Sequence, residues 1–133
     1  MSLKHSYTLI APLYDLVVSK ATHSIRKASL KQLETLSNVG DRILIAGIGT
    51  GLDIPHLPPD RLYTGIDLTQ SMLTKAKHRK GSVDIKLELG DAMYLTYEDN
   101  SFDLVLMHLI LAVVPNPALA LQEAQRVVKE QGH

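Results

Sequence analysis

Short apolar runs and helical repeats alternate along the chain. Over residues 14–36 the spacing is helical: Val17, Ala21, Ile25 and Ala28 recur on one face, with Lys20, Arg26, Lys27 and Lys31 largely elsewhere. Pro12 breaks the chain before this segment, and Asn38-Val39-Gly40-Asp41 has turn chemistry after it. The run Ile43-Leu44-Ile45-Ala46 reads as a buried strand that stops at three glycines in five residues. Pro55 and Pro58-Pro59 limit residues 52–57 to a turn or two of helix. Residues 62–67 form a second strand, ending on the carboxylate of Asp67. Thr69 then caps a helix over 70–80, with Met72, Leu73 and Ala76 inward and Gly81 as its stop. In 84–89, Ile85, Leu87 and Leu89 alternate with Lys86 and Glu88, which suits a sheet margin with one wet face. Residues 102–107 are a more continuously apolar fourth strand. Asn116-Pro117 opens a last helix, carried by Leu121, Ala124 and Val128 to Gly132.

Strands alternating with helices predict an α/β fold, a Rossmann-like parallel sheet with helices on both faces. The strand order must reverse somewhere to cover both faces, and ligands of such sheets bind at that reversal, outside the carboxyl ends of the strands. A length of 133 residues allows a single domain. With 45% hydrophobic and 21% charged residues the chain has an ordinary globular composition, which excludes a disordered one.

Fourteen basic and fourteen acidic residues cancel, removing the positive field that general nucleic-acid binding requires. Zero cysteines exclude disulfides, Cys-based zinc sites and thiol catalysis, and fit a cytoplasmic location. The histidines, at 5, 23, 56, 78, 108 and 133, show no metal-ligand spacing, so no metal is expected. The longest apolar run, 104–114, is interrupted by His108 and falls short of the roughly 18 residues of a spanning helix. The N-terminus has none of the features of a signal peptide.

Three strand ends carry candidate chemistry. In Gly47-Ile48-Gly49-Thr50-Gly51 the glycines let backbone turn sharply and approach a ligand. The dinucleotide fingerprint wants its third glycine where Leu52 stands, so the G-x-G-x-G spacing counts against a bound pyrophosphate. Asp67 lies twenty residues after Gly47, where a carboxylate can accept from both hydroxyls of a ribose; alternatively it only opens the turn into the next helix. Gly90-Asp91-Ala92 offers a carboxylate for an exocyclic amino group and an N–H for a ring nitrogen, or is simply a turn.

Taken in order, the stretch Ile43 to Gly51, then Gly65-Ile66-Asp67-Leu68-Thr69 with Met72-Leu73 and Ala76, then Gly90-Asp91-Ala92, Asp99 to Val105 and Glu123 to Lys129, resembles the class I S-adenosylmethionine-dependent methyltransferases. The resemblance implies that Gly47, Gly49 and Gly51 wrap the methionine part of the cofactor S-adenosyl-L-methionine. It further implies that Asp67 takes the ribose, that Asp91 and Ala92 take the adenine, and that Met72 packs on the adenine face. It divides the chain into an N-terminal helical lid, 1–40, and a cofactor-binding Rossmann-like domain, 41–133. The chain departs from the family in two places. Ile45 stands where the family usually has an acidic residue, and the chain ends at Gln131-Gly132-His133, where the family continues into three further strands. The second half of the sheet is therefore expected to be missing, through truncation or completion by a partner, with oligomerisation left open.

Residues 7–15 and 111–117 are similar to soluble phosphatidylethanolamine N-methyltransferases and to ubiquinone and menaquinone C-methyltransferases, which implies a small or lipid-like acceptor, an aminolipid or quinone precursor. His108 is the candidate general base and Tyr14 a further polar handle; either can instead be a packing residue. Lys75, Lys77, His78, Arg79 and Lys80 allow at most peripheral contact with anionic head groups, or simply complement a helix C-terminus. The rivals to a methyltransferase are a non-catalytic cofactor-binding or interaction protein and a nicotinamide-dependent oxidoreductase, against which Leu52 argues.

Overall fold

The computed structural model describes residues 19–107 and 114–130, with the side chains of the first helix described from Lys27 onward. Helix α1 (Ser19–Leu36) leads to strand β1 (Arg42–Ala46), a 3-10 turn (Ile54–His56), β2 (Leu62–Asp67), α2 (Gln70–His78), β3 (Ile85–Leu89), β4 (Leu104–Leu106) and α3 (Pro117–Val127). All strand pairs are parallel, in the order β3-β2-β1-β4. The chain therefore steps outward from β1 to β3 and returns to the other side of β1, so the order reverses between β1 and β4.

Alternation along β1 builds two cores. Ile43 and Ile45 face a cluster with Leu33 of α1, Ile54, Tyr63, Leu73 and Ala76 of α2, Ile85 and Leu104. Leu44 and Ala46 face the other cluster, with Ile66, Ala92, Phe102, and Ala120 and Val127 of α3. Because β1 is covered on both sides, its last four residues are all buried, as a continuous apolar run requires. Phe102, the single phenylalanine, is 1% exposed; the Tyr97 ring meets it edge-on at 5.1 Å and the Arg42 guanidinium lies 5.6 Å from its centroid.

Four local expectations are corrected. Among the described side chains of α1, Ser29 and Leu33 are buried and Leu30 packs against the core, followed by Ser37, while Ala28 is exposed. Two small serines carry the helical repeat there, and the Ser37 hydroxyl is satisfied by the Leu33 carbonyl at 2.6 Å. Met72 is 39% exposed, and the buried face of α2 is carried by Leu73 and Ala76. Leu89, the last residue of β3, is likewise exposed. Helix α3 ends at Val127, because Val128 is extended (φ −85°, ψ 142°) and bridges Phe102 in parallel, with Phe102 N–H donating to Val127 O and Lys129 N–H to Phe102 O.

Candidate functional site

A cleft of about 230 Å³ opens at the carboxyl ends of the strands. Its lining comes from Gly47 after β1, Ile66 to Thr69 at the end of β2, Gly90, Ala92 and Met93 after β3, and Val114 and Pro115 before α3. Parallel strands ending together beside a reversal of strand order make this the place where the fold leaves backbone groups free for a ligand.

The turn after β1 is built for close approach. Gly47, Gly49 and Gly51 have φ of 78°, 60° and 77°, a region that side chains rarely adopt. The Gly47 and Ile48 amides both donate to the Ile66 carbonyl at 2.9 Å, bending the turn over the end of β2. Their Cβ environments separate the second and third glycines. A Cβ on Gly49 would meet nothing within 4 Å, whereas one on Gly51 would lie 2.7 Å from Ile54 Cδ1 and 2.9 Å from the Ala76 backbone. Gly51 is thus required by packing under α2, and the open side of the turn is at Gly49.

Asp67 joins the two strand ends. Its Oδ2 accepts from Gly49 N–H at 3.0 Å and its Oδ1 from Thr69 N–H at 3.1 Å. A carboxylate has about four lone-pair sites, so each oxygen keeps capacity for a further donor, and this is the one carboxylate among the described lining residues. Thr69 stands at the N-cap of α2 but makes no side-chain cap bond, contrary to the sequence expectation; its amide is held by Asp67 instead.

After β3, Gly90 N–H donates to Asp67 O at 3.0 Å, and a Cβ at Gly90 would press on Ile66 at 3.1 Å. Asp91 turns back on its own loop, its Oδ1 accepting from Met93 N–H at 2.9 Å, while Ala92 and Met93 line the cleft. Of the residues singled out in the sequence, Gly47, Asp67 and Ala92 line the cleft, Gly49 is bonded to Asp67, and Gly51, Met72 and Asp91 lie outside the lining. His108 and Tyr14 lie outside the described residues. Leu68 and Met93 were missed as apolar walls; a large apolar residue one position after Asp67 and two after Asp91 was the available signal. Position 45 faces the core, where Ile45 is 2% exposed.

The cleft fits the cofactor implied by the sequence: a carboxylate with spare acceptor capacity for ribose hydroxyls, flanked by apolar walls for a flat base. It fits a dinucleotide poorly, because the glycine turn leads into a three-residue 3-10 turn containing Pro55, not into a helix whose N-terminus could hold a pyrophosphate. The family profile described as Methyltransferase domain matches residues 44–133. The chain belongs to the class I S-adenosylmethionine-dependent methyltransferases.

Similar curated methyltransferases include a phosphatidylethanolamine N-methyltransferase of Cereibacter sphaeroides, 30% identical over 124 residues, covering 90% of this chain and 60% of that protein. A demethylmenaquinone methyltransferase of Staphylococcus aureus is 37% identical over 109 residues, 81% of this chain and 42% of that one. The chain thus spans about half the length of the curated relatives it matches. The fold is shared with a methyltransferase solved in complex with the Trm112 activator of Haloferax volcanii, at a TM-score of 0.73 and 24% identity, over 80% of this chain and 48% of that one. Among the described residues, no helix of this methyltransferase-family chain is long and apolar enough to cross a membrane, and no cluster of side chains could hold a metal.

Proposed function

We propose that this protein binds S-adenosyl-L-methionine in the strand-end cleft and transfers its methyl group to a small or lipid-like acceptor. The observation that carries the reading is the coupling of Asp67 to Gly49 at 3.0 Å, which puts one carboxylate at the junction of the glycine turn and the base-side wall. In this reading Asp67 accepts from the ribose hydroxyls, Gly47 and Gly49 present backbone to the methionine part, and Ile66, Leu68, Ala92 and Met93 enclose the base. Gly51 lets the turn lie close under α2, where a Cβ would come within 2.9 Å of Ala76.

When bound, the cofactor supplies an electrophilic methyl group on a sulfonium, open to in-line displacement. The chain's share is to align the acceptor and exclude water, and a base is needed only where the acceptor must lose a proton. His108 is the proposed base, and Tyr14 a proposed contact to the acceptor. The substrates in the names of the two curated relatives support an aminolipid or a quinone precursor as acceptor.

Calorimetric titration of the chain with S-adenosylhomocysteine, beside NADH, tests the cofactor assignment. Selective binding of S-adenosylhomocysteine is expected; selective NADH binding, or binding of neither by a folded sample, overturns it. Transfer of labelled methyl from S-adenosylmethionine to phosphatidylethanolamine or demethylmenaquinone then tests the acceptor. Cofactor binding without transfer to any acceptor would favour a non-catalytic role.

A further inference from the structure

The wall of the cleft formed by Ala92 and Met93 lies on an irregular stretch between β3 and β4, with no sheet hydrogen bonds to fix it. Two anchors bound it. On one side Gly90 N–H is held by the Asp67 carbonyl at 3.0 Å. On the other, Leu95 N–H is held by Glu123 Oε1 at 2.7 Å, with only Tyr94 between Leu95 and the wall residue Met93.

Glu123 is itself fixed by Arg126, one turn on in α3, whose Nε donates to Glu123 Oε2 at 2.8 Å. The same guanidinium donates to Leu95 O at 3.0 Å, to Tyr97 O at 2.7 Å and to Asp99 Oδ1 at 2.8 Å. A planar fork of donors can serve two backbone carbonyls and two carboxylates at once, which the single ammonium of lysine cannot do. Met93, Leu95 and Tyr97 also pack against the α3-side core, so the polar clamp and the apolar packing fix the segment together.

We infer that Glu123 and Arg126 are a positioning pair for the cofactor: from α3 they hold segment 95–99 and thereby set the base-side wall at Ala92 and Met93. This rests on the reading of the cleft as the S-adenosylmethionine site. Neither residue lines the cleft; they act through the arch between Gly90 and Leu95.

The test is the affinity of the full chain and its variants for S-adenosylhomocysteine. Arg126→Lys and Glu123→Gln are expected to weaken binding about 3- to 30-fold, the usual range for residues coupled to a site without touching its ligand. Leu33→Ala, in the opposite core, should lower Tm at least as far while leaving affinity unchanged. In a double-mutant cycle with Met93→Ala, the losses from Arg126→Lys and Met93→Ala should be less than additive, because one acts through the other.

Clamp variants that bind as tightly as wild type, fully additive losses, or an equal loss in Leu33→Ala at matched Tm overturn the positioning role while the cofactor reading stands. A folded wild type that does not bind S-adenosylhomocysteine overturns both. Should both clamp variants fail to fold, hydrogen exchange of the wild-type chain decides: slower exchange of the Leu95 amide on ligand binding supports the clamp, and unchanged exchange overturns it.

Discussion

Gly49 donates its amide to Asp67 Oδ2 at 3.0 Å, so the turn that ends β1 is held by the carboxylate that ends β2. The bond links the shape of the turn to the charge at the mouth of the cleft. Asp67→Asn keeps an acceptor for one of the two amides but loses the charge and the second acceptor. It should leave the fold intact and weaken S-adenosylhomocysteine binding by about 1–3 kcal/mol, measured by calorimetry. Unchanged affinity would mean that the carboxylate serves the turn alone.

The glycines at 49 and 51 should separate binding from stability. Gly51→Ala combines a left-handed backbone with a Cβ 2.7 Å from Ile54 and 2.9 Å from Ala76, and should destabilise the chain by about 2–5 kcal/mol. Gly49→Ala has open space around the new methyl and should lose only about 1–2 kcal/mol for its φ of 60°. Urea unfolding midpoints would measure both. A larger loss at Gly49 than at Gly51 would contradict the packing role assigned to Gly51.

The strands were legible as apolar runs at β1, β2 and β4 and as an alternating segment at β3, and the parallel connections implied a reversal of order without fixing where it falls. Gly47, Asp67 and Ala92, singled out because they stand at or just after strand ends, line the cleft. What the pattern hid was of another kind. Beside Leu33, the buried positions at and just after the end of α1 are Ser29 and Ser37, which no count of apolar residues finds. Val128 looks helical by spacing, yet leaves α3 because its neighbours bond to Phe102, a contact across 26 positions. Glu123 and Arg126 stand in the stretch that carries the family resemblance, which assigned them no role; only the folded chain brings them to Leu95 and Tyr97.

Alkaline stability should depend on two tyrosines. Burial pushes the Tyr63 hydroxyl up to about 12, only partly opposed by Arg61, and this hydroxyl donates to the Pro58 carbonyl. Burial, with the Glu88 carboxylate beside it, raises Tyr97 to about 12 as well. Both pKa values lie above the unfolded value of 10.0, so the stabilisation is complete below pH 10 and is lost as pH rises from 10 toward 12. Tyr63→Phe and Tyr97→Phe should each flatten that fall in unfolding free energy; a slope unchanged in both would refute the account.

Acid should act through Asp103, which ties the start of β1 to the segment after α3. Burial alone would raise its pKa, but the Arg42 amide at 2.8 Å and the Lys129 ammonium at 2.9 Å outweigh that and hold the carboxyl below its ordinary 3.8. Because the folded value lies below the unfolded one, the contribution is present above pH 3.8 and disappears as pH falls through the folded pKa. Asp103→Asn should therefore cost about 1–3 kcal/mol at neutral pH, from the lost charged hydrogen bonds. The gap to wild type should narrow as pH falls below 3.8, and it closes once pH is below the folded pKa, where the wild-type carboxyl is neutral too. Denaturation curves of both proteins from pH 7 to pH 3 would show this convergence, and a gap that stays constant would place the effect of the substitution in packing, not in charge.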